Sequence, residues 1–242
     1  MSGSTASFTL WVYLSREPLL WLTVTLVAYV VADRVSRATG RHPLANPVLH
    51  AVWLVAAFLW LSGTSYRTYF DGAQFVHFLL GPATVALAVP LYANRRIVAR
   101  SLAPMAVALA VGSVTALASA LLIARAFGMP GPVLAALAPK SVTAGVAMGI
   151  AERLGGDPSL AAVLVILTGI TGAIVVTPLM TLLGMTDWRA RGFAAGLASH
   201  GIGTARAFQV HPLAGTFAGI AMGLNALLTA LLVPAALRLL GP

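Results

Sequence analysis

Eight hydrophobic segments make up most of this chain, and each has about the length of a helix that crosses a membrane. They lie at about 18–33, 46–62, 73–92, 103–124, 131–150, 159–183, 191–210 and 214–240. A membrane-spanning helix needs about 20 mainly apolar residues. Charged residues form 9% of the sequence, whereas soluble domains carry roughly 25%. The pattern predicts an all-α polytopic membrane protein with seven to eight hydrophobic segments in one transmembrane domain, residues 1–242.

Three of these segments contain glycine, proline, hydroxyl and charged residues where a lipid-facing helix would be uniformly apolar. They read LLGPATVALAVPLY (79–92), LAPKSVTAGVAMG (137–149) and AAGLASHGIGTAR (194–206). Irregular backbone at membrane depth occurs only where it is buried in protein or lines a wet cavity. Paired interrupted segments point to the binding site of a secondary transporter. We therefore expect broken or re-entrant helices around such a site.

An internal echo relates two of the interrupted segments. With Pro82 aligned to Pro139, LGPATVALAVPL lies over LAPKSVTAGVAM, and the same shift (139 − 82) places Gly112 on Gly169. The echo predicts an internal repeat with units at about 73–124 and 131–183, each a broken helix followed by a full span. A chance match between low-complexity stretches is the alternative.

The basic residues lie mainly in short connections between the segments. Net charge is +9, but no basic stripe with interleaved aromatic residues suggests nucleic-acid binding. Loops 33–45 and 93–102 hold three arginines each, so the positive-inside rule places both in the cytoplasm and the N-terminus outside. Arg189 and Arg191 lie on the cytoplasmic side with these loops only if residues 131–150 enter and leave the membrane on one face. The positive-inside rule therefore favours a re-entrant segment at 131–150.

Lys140 is the first candidate for a functional residue. A charged side chain in mid-membrane costs about 2.5–3.5 kcal/mol on insertion scales, so it usually has a partner in a cavity. A carboxylate could be that partner, with hydroxyls from Ser141 and Thr143 and the N–H groups of a helix that begins at Pro139. Two alternatives remain open, in which Lys140 extends to the membrane surface from a helix end or pairs with Glu152.

A second set of candidates lies in the SHGIGTARA stretch. The planar fork of Arg206 can hold a carboxylate with two hydrogen bonds, while His200 or Thr204 addresses the neighbouring oxygen of a 2-hydroxy or 2-keto acid. Gly201 and Gly203 would allow a close approach to the ligand or a positive φ. Alternatively, Arg206 marks a loop edge at the membrane surface and His200 is a hydrogen-bonded packing residue.

Two more polar residues are candidates for the same cavity. Thr84 corresponds to Ser141 in the echo, although a small residue there could equally serve packing. Asn225 stands alone in the last span, where it could face the site or form hydrogen bonds between helices.

Several kinds of chemistry are not expected from this sequence. It contains no cysteine, no H-x-x-x-H pair and no glycine-rich phosphate-binding motif, so we predict no metal, no cofactor and no ATP-driven transport. Ser199 and His200 are adjacent and would point about 100° apart on one helix. With no acidic group evident nearby, we predict that the protein is not an enzyme.

Four sequence blocks, in order, resemble the LrgB/CidB (antiholin-like) family. They are LLGPATVALAVPLY, APKSVTAGVAMGIAERLGGDPSL, ILTGITGAI and GLASHGIGTARAF, and the plastidic glycolate/glycerate translocator is similar to this family through its C-terminal half. The resemblance extends from about Asn46 to the C-terminus. It implies a protein that moves small carboxylates, or one that controls murein hydrolases and lysis with a smaller LrgA/CidA-type membrane partner.

The leading hypothesis is a secondary transporter of small monocarboxylates such as glycolate, glycerate, lactate or pyruvate, in which Lys140 and Arg206 share one watery pocket. His200 could couple transport to protons, because histidine titrates near neutral pH. The alternative is an antiholin-like regulator of murein hydrolase activity and cell lysis that acts with the LrgA/CidA-type partner. For either function we expect a homo-oligomer and a multi-pass protein of a bacterial inner (plasma) membrane.

Overall fold

The structure is a computed structural model that describes residues 17–240, apart from the side chains of His77, Leu80, Thr84 and Leu240. Across this range the chain is helical and contains no strand. In order, the helices are α1 (Pro18–Ala38), α2 (Pro47–Ser62), α3 (Tyr66–Phe78), α4 (Leu80–Ala86), α5 (Ala88–Ala93), α6 (Arg95–Arg100), α7 (Leu102–Ala126), α8 (Gly131–Leu137), α9 (Ala144–Arg153), α10 (Pro158–Leu182), α11 (Trp188–Val210) and α12 (Pro212–Leu240).

Within residues 17–240, five stretches of helix are long and apolar enough to cross a membrane. They are Pro18–Ala38, Tyr66–Ala93, Leu102–Ala126, Pro158–Leu182 and Pro212–Leu239. Helix α2 is apolar but shorter, and the segments predicted at 131–150 and 191–210 are broken helices. The all-α membrane fold with broken segments is therefore confirmed.

Some boundaries differ from those predicted, and the largest differences place helix in polar stretches. Helix α1 continues past residue 33 to Ala38, where Asp33 and Arg37 form an ion pair one turn apart, a spacing that supports a helix. The first half of α3 and the whole of α6 occupy stretches that were predicted as connections between the segments 46–62, 73–92 and 103–124.

The described chain divides between Ala86 and Leu87 into two compact units. In the first unit, α1, α2 and α3 pack around Trp21, which is 1% exposed. The indole meets the rings of Phe58 and Tyr69 edge-on, with centroids 6.1 and 6.0 Å away. This T-shaped arrangement is the one that the charge distribution of aromatic rings favours.

In the second unit, residues 131–153 fold back on themselves, and we call them hairpin 1. Helices α8 and α9 form its arms, and residues 138–143 form its tip. A Cβ on Gly156, just beyond α9, would lie 2.8 Å from the backbone nitrogen of Ala136 in α8. Ala136 also shares a buried cluster with Ala151. The residues at the end of α9 and just beyond it therefore lie against α8, as in a segment that turns back on itself.

Residues 188–210 form a second hairpin, hairpin 2, although they are one helix by hydrogen bonding. Ser199 and His200 have non-helical backbone angles and form its tip. The rings of Trp188 and His211, at the two ends of the segment, stack with centroids 4.9 Å apart and planes 2° from parallel. In a straight helix these ends would be about 34 Å apart, so the second half runs back along the first.

The two hairpins enter the unit from opposite ends of α10. Hairpin 1 ends just before α10 begins, and hairpin 2 begins just after α10 ends. Both tips nevertheless reach the same part of α10. Val142 packs against Val165, and the His200 ring is hydrogen-bonded to the Val165 carbonyl at 2.9 Å.

Helix α7 runs antiparallel to α10 and brings two arginine-containing connections together. Ser101, before α7, accepts a hydrogen bond from Arg189 of hairpin 2 at 3.4 Å, while Leu121, late in α7, packs near Leu134 of hairpin 1. A span followed by a hairpin thus occurs twice, as α7 with hairpin 1 and as α10 with hairpin 2, in opposite directions. The loops at 93–102 and 183–190 lie at the same end, which is the arrangement that a re-entrant 131–150 predicts.

The two prolines of the sequence echo lie in different local structures. Pro82 lies inside α4, whereas Pro139 lies in the tip of hairpin 1. The repeat units at 73–124 and 131–183, and the single transmembrane domain, stay predictions.

Candidate functional site

Asn225, near the middle of α12, joins the tips of both hairpins. Its side chain is 1% exposed, and Nδ2 donates hydrogen bonds to the carbonyl oxygens of Ser141 in hairpin 1 and Leu197 in hairpin 2, both at 3.1 Å. Oδ1 accepts from the hydroxyls of Ser113 in α7 at 2.7 Å and Thr229 at 3.3 Å. All four hydrogen-bonding positions of the amide are thereby used.

These contacts explain how two interrupted helices can be buried at this depth. Where a helix breaks, its last carbonyl groups lose their helical partners, and a buried carbonyl without a hydrogen bond costs about 1–3 kcal/mol. Asn225 supplies a donor to one such carbonyl from each hairpin. Asn225 therefore forms hydrogen bonds between helices, which is one of the two interpretations drawn from the sequence.

The tip of hairpin 2 fits closely against two glycines of α10. A Cβ on Gly169 would lie 2.6 Å from Cε1 of His200, and one on Gly172 would lie 1.6 Å from Oγ of Ser199. No other residue type fits at either position without movement of the tip. The φ of His200 is +41°, an unfavourable angle for a residue with a side chain, so the positive φ expected at a glycine belongs to the histidine instead.

The tip of hairpin 1 is more open and more polar. Lys140 is partly exposed, and its Nζ lies 3.4 Å from Oγ of Ser141. Within residues 17–240 it forms no ion pair, with Glu152 or any other acid. The helix expected to begin at Pro139 instead begins at Ala144, because residues 138–143 turn the chain back.

Thr143 is the N-cap residue of α9, but its side chain makes no capping hydrogen bond. The first N–H groups of a helix have no acceptor within the helix, and the N-terminus carries a partial positive charge. The second half of hairpin 2 also begins at its tip. Each tip therefore contains the start of a helix, and the first tip also contains Lys140. Helix N-termini and ammonium groups both favour a bound anion.

The remaining predicted residues of hairpin 2 lie further from this point. A Cβ on Gly203 would lie 2.5 Å from the Ala195 carbonyl, so Gly203 lets the two halves of the hairpin approach each other. The Thr204 hydroxyl donates to the His200 carbonyl at 2.8 Å. Arg206 is 7% exposed and lies near Gln209, six residues or about 9 Å along the helix from His200.

The contacts of His200 are those of a hydrogen-bonded packing residue, which is one of the two interpretations drawn from the sequence. Arg206 is buried, unlike a residue that marks a loop edge at the membrane surface. The side chain of Thr84 lies outside the part of the chain that the structure describes. Its predicted place beside Ser141 stays a prediction, as does a pocket shared by Lys140 and Arg206.

Four residues that hold the tips in place were not singled out from the sequence. Ser113, Val165 and Leu197 are an ordinary serine and two apolar residues, so nothing in their type or spacing indicates a role. Gly172 is different, because Gly169 and Gly172 in TGITG are three residues apart and share one helix face. That spacing could have indicated a helix face on which another segment of the chain packs closely.

Comparisons with known proteins cover almost the whole chain. A sequence model described as the LrgB-like family matches residues 25–239. Uncharacterized protein YxaC of Bacillus subtilis (strain 168) is 34% identical over 207 residues, which are 86% of this chain and 90% of YxaC. Holin-like protein CidB of Staphylococcus epidermidis (strain ATCC 12228 / FDA PCI 1200) is 30% identical over 218 residues, 90% of this chain and 95% of CidB. No solved structure matches the chain.

Proposed function

The chain belongs to the LrgB-like family of membrane proteins, and on that premise we propose that it is a secondary transporter of small monocarboxylates such as glycolate, glycerate or pyruvate. The observation that carries this proposal is the meeting of two hairpin tips on Asn225. Half-helix N-termini that point at an anionic group near the middle of the membrane are a recurring feature of secondary transporters.

The tip of hairpin 1 offers the chemistry that a 2-hydroxy acid needs. The Lys140 ammonium group faces the carboxylate as a point charge, and the N–H groups at the start of α9 add hydrogen bonds to it. The hydroxyls of Ser141 and Thr143 address the neighbouring hydroxyl or keto oxygen. Arg206, two turns away in hairpin 2, is a second positive charge on the route of the substrate rather than a ligand at the tip.

The two hairpins enter from opposite ends of α10, which suggests how the site could open alternately to the two sides of the membrane. Each hairpin closes the path from one end of α10 to the meeting point of the tips. Movement of one hairpin away from Asn225 would open the site to one side while the other hairpin keeps it closed. Proton coupling through His200 would act at the same place, because its ring is bonded to Val165 between the two tips.

We propose a place in a bacterial inner (plasma) membrane, where the charge of the two ends of the second unit gives the orientation. The end that bears Arg100 and Arg189 also holds Arg95, Arg96 and Arg191, whereas the other end holds Arg125, Arg153 and Arg238. By the positive-inside rule, hairpin 2 then enters from the cytoplasm and hairpin 1 from outside. A homo-oligomer remains part of this proposal.

Uptake into proteoliposomes tests the proposal. The purified chain should accumulate labelled glycolate, and Lys140→Gln should reduce uptake at least tenfold, because the substrate carboxylate loses its positive partner. Arg153→Gln, an exposed charge change at the base of the same hairpin, should keep the wild-type rate. Uptake that is the same with empty liposomes, or that Lys140→Gln leaves unchanged, contradicts a carboxylate carrier of this kind.

A second candidate function is an antiholin-like regulator that acts with an LrgA/CidA-type partner on murein hydrolase activity and lysis. Its support is the name of the relatives at 30% identity, which are called holin-like proteins. Reconstitution with such a partner separates the two functions. Non-selective leakage of a vesicle dye that requires the partner, without glycolate uptake by the chain alone, would favour the regulator.

A further inference from the structure

An open cavity of about 550 Å³ lies beside the first half of hairpin 2, between α7 and α11. Its walls are small residues in steps of four on two helices. They are Pro104, Ala108 and Gly112 on α7, and Ala190, Ala194 and Ala198 on α11. Met105, Phe193, Leu197 and Phe217 form its floor and belong to one apolar cluster. The volume is within the range of ligand-binding cavities, about 300–1,000 Å³.

The mouth of this cavity is polar and carries arginines. Arg100, Ser101, Asp187 and Arg189 line it, at the start of α7 and the start of hairpin 2. Arg189 pairs with Asp187 at 2.6 Å, and the hydrogen bond from Arg189 lowers the pKa of the Asp187 carboxyl. The side chain of Arg100 has no hydrogen bond or ion pair within the described part of the chain, and it therefore leaves a positive charge at the mouth.

The lining and the charge of the cavity indicate what can occupy it. The small wall residues on α7, from Pro104 to Gly112, extend over about 12 Å, and Arg100 lies at the mouth. A long apolar lining that ends at a positively charged mouth matches an extended hydrocarbon chain with an anionic headgroup.

We propose that this cavity binds one acyl chain of an anionic phospholipid, whose phosphate group lies at Arg100. The apolar floor takes the chain, and the charge at the mouth selects the headgroup, since each Lys or Arg near a membrane surface attracts anionic lipid. The bound chain would lie along the first half of hairpin 2 as far as Leu197 and Ala198, next to the tip. This inference does not depend on which substrate the protein carries.

Lipid binding to the purified full chain in detergent tests the proposal by native mass spectrometry. The probes are dioleoylphosphatidylglycerol, which is anionic, and dioleoylphosphatidylcholine, which has no net charge. We expect one tight site that prefers the anionic lipid. Arg100→Gln should lower its affinity about fivefold, the effect of one arginine near an anionic headgroup. Arg96→Gln is the matched control, because it removes the same charge from the same helix but does not line the cavity.

A second pair of variants tests the site of the acyl chain. Ala194→Phe fills the cavity and should abolish the tight site for the anionic lipid, while Ala235→Phe, on an exposed face of α12, should leave it. Equal binding of the two lipids to the wild type would overturn the proposal. It would also be overturned by an equal loss in Arg96→Gln and Arg100→Gln, or by a tight site that survives in Ala194→Phe. Glycolate uptake enters none of these readouts, so a failure here is distinct from a failure of the transporter proposal.

Discussion

Hairpin 1 turns through residues 138–143, where Lys140 and Thr143 are partly exposed, whereas hairpin 2 turns at Ser199 and His200, which are 0% and 4% exposed. The first tip presents an ammonium group and two hydroxyls at the start of a helix. The second presents few exposed polar groups, because its histidine is bonded to α10 and its serine is buried against a glycine. Two hairpins of similar length thus differ, with partly exposed polar groups at one tip and a close structural fit at the other.

The largest effect on both hairpins should come from Asn225→Leu. The substitution keeps the volume of the side chain but leaves the carbonyls of Ser141 and Leu197 buried without a donor. We expect a loss of about 2–4 kcal/mol in the free energy of unfolding, measured by thermal unfolding of the purified protein. Thr229→Val removes only the 3.3 Å hydrogen bond to Oδ1 and should cost far less. Equal stability of the two variants would mean that Asn225 does not hold the tips.

A pair of glycine substitutions should show that hairpin 2 is more closely packed at its tip than hairpin 1 is along its arm. Gly172→Ala places a methyl group on Ser199 at the tip of hairpin 2 and should destabilise the protein by about 1–3 kcal/mol. Gly149→Ala lies on an arm of hairpin 1, where a Cβ would have nothing within 4 Å, and should be neutral or stabilising because alanine favours helix. A tolerant Gly172→Ala would show that the tip of hairpin 2 is as loosely held as that of hairpin 1.

The base of hairpin 2 should contribute less than its tip. Trp188→Leu removes the ring that stacks on His211, and a stacked aromatic pair is worth about 1 kcal/mol. The melting temperature should fall by less than in Gly172→Ala. Trp60→Leu is a suitable control, since Trp60 is 82% exposed. A larger loss from Trp188→Leu than from Gly172→Ala would place the main support of hairpin 2 at its base.

The sequence predicts the existence of the breaks better than their geometry. Proline, glycine and charge inside apolar segments correctly indicate broken helices near Pro139 and His200, because such residues rarely occur in a regular lipid-facing helix. The return of each chain along itself is not encoded in hydrophobicity, since a buried hairpin and a buried span have similar compositions. The basic loops constrain the path of the chain, because Arg189 must lie on the cytoplasmic side and residues 131–150 must then be re-entrant.

The roles of individual site residues were harder to predict. His200 and Gly203 are ligand-binding candidates by sequence, yet their nearest contacts are α10 and the other half of hairpin 2. Which side of a broken helix faces a cavity depends on neighbours far away in sequence. Asn225 is an example, because its partners Ser141 and Leu197 are 84 and 28 residues away.

The most direct test of a carboxylate site at the tip of hairpin 1 uses the absence of cysteine from the chain. In Thr143→Cys, the only thiol would lie beside Lys140, and its rate of alkylation by N-ethylmaleimide reports access to the tip. Ser159→Cys, at an exposed position in the first turn of α10, serves as the control. We expect saturating glycolate to slow alkylation of Cys at the tip severalfold, with no effect from uncharged glycolamide and none at the control position. An unchanged rate at the tip with glycolate, or equal protection by glycolamide, would contradict binding of a carboxylate there.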